Sequence, residues 1–195
     1  GARSSEIYFT SGGSESDNWA IKEICLARRE KGKHIIISSI EHHAVIESAK
    51  YLEKIGFEVS YLGVDSDGLI NLEELDSMIR DDTVLVSVMA ANNEIGVIEP
   101  IKEIGNVCKK HGVLFHTDAV QAYGNIDIDV NDANIDLLST SAHKLHGPKG
   151  IGFLYIRKGV MINPLISGGN QEKGKRAGTI NSALIMGFRK AVELK

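Results

Sequence analysis

Several short stretches of this 195-residue chain concentrate side chains that can do chemistry. Thr10-Ser11-Gly12-Gly13-Ser14 sets two glycines and hydroxyls ahead of a helical pattern. Glycines let backbone N–H groups approach an anion, and a helix N-terminus favours negative charge. The loop therefore has the parts of a phosphate cradle, although an ordinary N-cap turn shares its composition. Glu41-His42-His43 places an imidazole where it can stack on a flat ring. The two histidines are adjacent and point in different directions, and no His–x3–His follows, which argues against a zincin site. Asn92-Asn93-Glu94-Ile95-Gly96 offers two amides and an acid, in residues that also suit a plain turn. Asp118 follows a mostly apolar run, Val113-Leu114-Phe115-His116, with Gln121 three residues on. A carboxylate there is costly unless it is paired or ligand-bound. It suits a metal or a protonated ring nitrogen. No carboxylate cluster accompanies it in sequence, which favours the ring nitrogen over magnesium. Last, Ser139-Thr140-Ser141-Ala142-His143-Lys144 puts a lysine beside hydroxyls and an imidazole. Desolvation there would ease loss of its proton, as a Schiff-base lysine requires.

The elements that must position these residues alternate between strand and helix. Strand patterns cover Glu6–Thr10, His34–Ser39, Glu58–Leu62, Thr83–Ala90, Val113–Thr117, Asp136–Thr140 and Gly150–Ile156. Helical patterns cover Glu15–Lys31, with Trp19, Ile24 and Ala27 on its buried side, and His43–Ile55, Leu72–Arg80, Ile101–His111 and Asn181–Lys195. Gly56 and Gly112 stop two of these helices, and Asn71 and Asn181 can cap two others. This alternation predicts a three-layer α/β/α fold, a mainly parallel mixed sheet with helices on both faces. In such sheets ligands bind at the carboxyl ends of the strands. Each stretch above lies just after a predicted strand.

Composition removes several classes. With 43% hydrophobic and 25% charged residues the chain is neither disordered nor collagenous. A net charge of −4 without a basic run argues against nucleic-acid and membrane-surface partners. No run approaches the roughly 18 apolar residues of a membrane span, and no secretory signal is visible. Cys25 and Cys108 make neither a disulfide framework nor an all-thiolate zinc site, so no metal is expected and a reducing cytoplasm suits the composition. Gly169 to Lys175 spells G-x-x-x-x-G-K, but Arg176 stands where a P-loop needs Ser or Thr.

A phosphate cradle, a ring-stacking His, an Asp for a pyridinium and a lysine for an aldehyde together match the needs of pyridoxal 5'-phosphate. The sequence resembles the NifS/IscS-type cysteine desulfurases, class V enzymes of fold-type I, from about Glu6 to the last helix. The motifs that carry the resemblance are FTSGGSESDN (9–18), EHHAV (41–45), NNEIGV (92–97), HTDAVQ (116–121), SAHKLHGPKGIG (141–152) and GGNQEKGKRAGT (168–179). The resemblance implies that Lys144 attaches the cofactor and that Asp118 keeps its ring nitrogen protonated. It gives His42 a stacking and proton-transfer role. It also implies that Asn93 and Gln121 bond the ring hydroxyl region, and that Gly13, Ser14, Ser141 and His143 hold the phosphate. Thr179 would reach the phosphate of a neighbouring subunit, so a homodimer is expected. The implied substrate is L-cysteine, converted to L-alanine with persulfide transfer toward iron–sulfur or thionucleoside synthesis. An iron–sulfur scaffold or other sulfur-acceptor protein would be the partner. The alternatives are a selenocysteine lyase or aminotransferase of the same class, or a non-catalytic module that binds the cofactor and dimerises.

Departures from the family pattern are mild at Gly13-Ser14, Ala142 and Ala177. A larger one is the absence of a loop cysteine after Lys144, where the family places its sulfur acceptor. Cys25 and Cys108 fall in helical patterns and read as buried structural thiols. On this reading residues 1–195 are the cofactor-binding large domain, with an N-terminal segment and a C-terminal small domain outside it. Residues 181–195 begin the interdomain helix, and the chain alone is expected to be inactive.

Overall fold

The computed structural model describes residues 1–195. Seven strands form one sheet in the order β1-β7-β6-β5-β4-β2-β3. They are β1 (Ile7–Thr10), β2 (His34–Ser38), β3 (Glu58–Leu62), β4 (Thr83–Ser87), β5 (Leu114–Asp118), β6 (Leu137–Ser141) and β7 (Gly152–Ile156). The pairs from β3 across to β6 are parallel, while β7 runs antiparallel to both β6 and β1. Two reversals cancel, so β1 points the same way as β6. The carboxyl ends of β1, β2, β4, β5 and β6 therefore share one edge.

The helices are α1 (Gly13–Asn18), α2 (Ile24–Arg28), α3 (His43–Lys54), α4 (Leu72–Met78), α5 (Ile101–His111) and α6 (Ser182–Glu193). A π turn over Trp19–Glu23 joins α1 to α2, so residues 13–28 form one continuous helical run. The predicted single helix thus ends three residues early and carries a π turn in its middle. Asn71 caps α4 by accepting from the Glu73 and Glu74 N–H groups at 2.8 and 3.1 Å, a contribution of about 1 kcal/mol. Gly112 closes α5 in the left-handed conformation, at φ +66°. The last helix ends at Glu193, two residues short of the predicted Lys195.

The period of 2 along β2 divides the core. Ile35 and Ile37 pack with Trp19, Ile24, Cys25, Val45 and Leu52 on one face of the sheet. Ile36 packs with Ile104, Cys108, Phe115 and Phe188 on the other. The two cysteines are therefore buried on opposite sides of the sheet. This is the predicted three-layer architecture; β3 has its predicted bounds, β4 ends three residues before the predicted Ala90, and the other strands differ by one or two residues at one or both ends.

Candidate functional site at the sheet edge

The shared edge carries a cavity of about 210 Å³ lined by Gly13, Ser14, Asp17, His42, Met89, Asn93, Asp118, Val120, Gln121, Ser141, His143 and Lys144. Every predicted site residue except Thr179 is in this lining. They come from five different strand ends, as the sheet-edge rule requires.

The cradle forms because β1 ends where the helical run begins. Gly12 has φ +150°, a conformation that L side chains rarely adopt. The Thr10 and Ser16 hydroxyls meet at 2.8 Å and tie the first helical turn to the strand. Gly152 on β7 lies beneath: a Cβ there would sit 2.3 Å from the Thr140 carbonyl and 2.8 Å from the Gly12 Cα. A Cβ on Gly13 would lie 2.6 Å from Val120 Cγ2. Ser14 is exposed at the mouth, and the Ser141 hydroxyl pairs with His143 Nδ1 at 2.7 Å.

His42 is the N-cap of α3. Its Nδ1 accepts from the Ala44 N–H at 3.1 Å, which leaves the neutral ring's proton on Nε2 and fixes the ring's direction. The two amides of Asn92-Asn93 divide their work. Asn92 is buried, donates to the Ile40 carbonyl at 2.8 Å and accepts from the Glu94 and Ile95 N–H groups. It thereby holds the loop after β4 against the loop after β2. Asn93 is left facing the cavity.

Asp118 ends β5 and is 4% exposed. The Val120 N–H donates to its Oδ1 at 2.8 Å. Burial raises its pKa, against the pull of that hydrogen bond and of the nearby His42 and Lys144. Behind it, His116 is fully buried between two hydroxyls, Ser87 at 2.8 Å and Ser139 at 3.0 Å. Burial pushes its pKa down to about 3, so it is neutral. Lys144 sits in the 3-10 turn Ala142–Leu145 that follows β6 and is exposed at the cavity mouth. The expected desolvation of this lysine is therefore not seen, because the cavity opens to solvent on its side.

Thr179 lies elsewhere, exposed in a separate cleft with Thr10, Ser11, Gly150, Arg176 and Asn181. Arg176 there holds Glu15 through Nε–Oε1 at 2.8 Å. Cys25 and Cys108 are buried and free, and neither reaches the cavity. Burial raises both thiol pKa values, that of Cys108 to about 12.

Sequence reasoning missed Asp17, Met89 and Val120. Asp17 had a signal: it lies four residues after Gly13, so the helical period returns it to the cradle's face. One of its oxygens, an Asp118 oxygen and a His42 nitrogen all lie within 4.8 Å of one another. The cavity floor is thus acidic and suited to a cation or an N–H donor.

A three-layer sheet with convergent polar groups at one edge defines an α/β protein with a small-molecule site there. Residues 1–195 match the family described as aminotransferase class-V, and the chain belongs to that family. Cysteine desulfurase IscS of Clostridium botulinum is 62% identical over 193 residues, covering 99% of this chain and 49% of that protein. Cysteine desulfurase IscS of Methanosarcina thermophila is 62% identical over 194 residues, covering 100% and 48%. Among solved structures, one described as SspA in complex with cysteine superposes with a TM-score of 0.95 at 49% identity, covering 98% of this chain and 56% of that one. A NifS-like protein does so with a TM-score of 0.94 at 48% identity, covering 97% and 53%. The chain spans about half the length of the curated relatives it matches.

Proposed function

We propose that this chain is the pyridoxal 5'-phosphate-binding half of a cysteine desulfurase. The observation that carries the reading is the single cavity where cradle, imidazole, carboxylate and lysine converge. The residues present fit the cofactor. Gly13 leaves open a space that a Cβ could enter only by displacing Val120, and the helical run presents its N-terminus to that space. Asp118 is a buried carboxylate with one oxygen still unpaired by protein, as a ring N–H would need.

When bound, the cofactor supplies an electron sink for the substrate's Cα substituents. The rest is the work of the chain. The N–H groups at Gly13 and Ser14, with Ser141 and His143, hold the phosphate. Asp118 holds the proton on the ring nitrogen. His42, its direction fixed by the Ala44 N–H, covers the ring face. Asn93 and Gln121 bond the ring hydroxyl. Lys144 would supply the amine that holds the aldehyde, and its exposed amine end at the cavity mouth would be the group to move a proton at the substrate's Cα.

The proposed substrate is L-cysteine. Its sulfur passes to a thiol other than Cys25 and Cys108, which are buried away from the cavity. The full-length protein then hands sulfur to a scaffold or acceptor protein. Thr179, exposed and apart from its own cavity, serves the neighbouring site of a homodimer. The large domain is assigned to residues 1–195 and the start of the interdomain helix to 181–195. Two reduced, buried thiols support a cytoplasmic setting. No helix is long and apolar enough to cross a membrane.

The test is optical. Chain incubated with the cofactor should turn yellow, absorbing near about 420 nm, and Lys144→Ala should stay colourless. A wild-type chain that stays colourless overturns the reading. Added L-cysteine should give little sulfide from this chain; robust turnover would show that Cys25 or Cys108 accepts sulfur.

A further inference from the structure

Asp17 is a carboxylic acid in a place where a second negative charge is hard to keep. It is 1% exposed, its Oδ1 is buried with no hydrogen-bond partner, and it lines the same cavity as Asp118. One of its oxygens lies within 4.8 Å of an Asp118 oxygen. The nearest basic group on the core side is His116 Nε2, 3.7 Å from Oδ1, and that nitrogen is already engaged with Ser139. Neutral His116 supplies no counter-charge.

We propose that Asp17 is a positioning residue of the ring-nitrogen site: a carboxylic acid held neutral behind Asp118, so that the cavity floor presents one negative charge, on Asp118, to a bound ring nitrogen. The inference rests on the cofactor reading above. Two ionised carboxylates this close in a dry site would repel each other, so one takes a proton. The asymmetry between them decides which one. Asp118 receives the Val120 N–H and faces His42 and Lys144 across the cavity. Asp17 faces Asp118 from β5, Ser139 from β6 and, in common with Asp118, a His42 nitrogen from the start of α3, and no lysine or arginine pairs with it. Glu41, also buried behind the cavity, adds a further carboxyl nearby rather than a counter-charge. Burial, then Asp118, drive the Asp17 pKa well above the carboxylate range, in the direction the geometry requires.

The experiment uses the full chain with pyridoxal 5'-phosphate and with its analogue in which the ring nitrogen is replaced by CH. Carbon-13 NMR of the Asp17 carboxyl should show the protonated form across neutral pH. Asp17→Asn, also neutral, should keep the preference for the nitrogen ring to within about threefold. Asp17→Ala, which admits water against Asp118, should cut that preference by about tenfold and leave the analogue's affinity within about threefold. An Asp17 carboxyl ionised at pH 7 overturns the proposal. So does an Asp17→Asn preference that shifts as far as that of Asp17→Ala, or an Asp17→Ala loss that is equal for both ligands, which would mark a packing role. If Asp17→Ala does not fold, the NMR signal and Asp17→Asn still decide. A wild-type chain that binds neither ligand overturns the cofactor reading and this one with it; binding that ignores Asp17 overturns this one alone.

Discussion

Asp118 and Lys144 enter one cavity from the carboxyl ends of neighbouring parallel strands, β5 and β6. The acid is buried at the floor and the amine is exposed at the mouth. A flat ring between them would have its nitrogen against the acid and its aldehyde toward the amine, so the two ends of such a cofactor would be read by different depths of one site.

The cradle depends on a missing side chain. Gly13→Ala places a Cβ 2.6 Å from Val120 Cγ2, and a β-branched valine has little room to turn aside. Pyridoxal 5'-phosphate affinity should fall by about tenfold or more in a fluorescence titration, because backbone N–H groups can no longer close on the phosphate. Unchanged affinity would place the phosphate elsewhere.

Acid should unfold the chain through His116. Its pKa is lowered from 6.5 to about 3 by burial, so the unfolded chain binds a proton that the folded chain refuses. Stability is intact above pH 6.5 and drains away as pH falls toward 3. Urea unfolding across this range should show the decline, and His116→Asn should flatten it.

Glu41 has the opposite sign. One oxygen accepts from the Met89 N–H at 2.6 Å and the other is buried without a partner. Burial, then Asp118, raise its pKa well above 4.5, so the folded chain keeps a proton that the unfolded chain gives up. Its contribution is present below pH 4.5 and is lost as pH rises toward the raised value. Glu41→Gln keeps an acceptor for Met89 and no longer titrates. Its melting temperature relative to wild type should therefore climb by several degrees between pH 4 and pH 8, measured without cofactor. A difference independent of pH would show that Glu41 is ionised in the fold.

The two thiols should be silent in the native state. Cys25 and Cys108 are 0% and 1% exposed, with pKa values raised by burial. A chromogenic disulfide reagent should titrate neither at pH 8 and both after denaturation. Rapid reaction of either one in the folded chain would reopen it as a sulfur acceptor.

Much of this was legible in local pattern. The period of α5 and its glycine stop set both ends of Ile101–His111, and β3 falls where its run predicts. The strand-end residues were legible because a mainly parallel sheet brings its carboxyl ends to one edge, whatever the distances along the chain. Asp17 was legible only in part: the helical period returns it to the cradle's face, but its approach to Asp118 depends on how the helical run packs on the sheet. Met89 read as strand core and is buried, but regular β4 ends at Ser87; the Val88 and Ala90 N–H groups still donate to β5 while the Met89 side chain lines the cavity. The exposure of Lys144 also depends on how the loops close over the cavity, not on its neighbours in sequence.

The antiparallel strand β7 has a consequence for timing. β1 has no sheet neighbour but β7, pairing Ile7–Thr10 with Gly152–Tyr155. The chain is made N-terminus first, so β1, the strand that leads into the cradle, emerges well before its only sheet neighbour and must wait for it. Until residues 152–156 dock, Gly12 lacks the Gly152 backbone that lies beneath it. On the cofactor reading, capture of the phosphate would thereby be coupled to completion of the sheet, and a nascent chain with Asp118 already in place would have no finished anion site to offer.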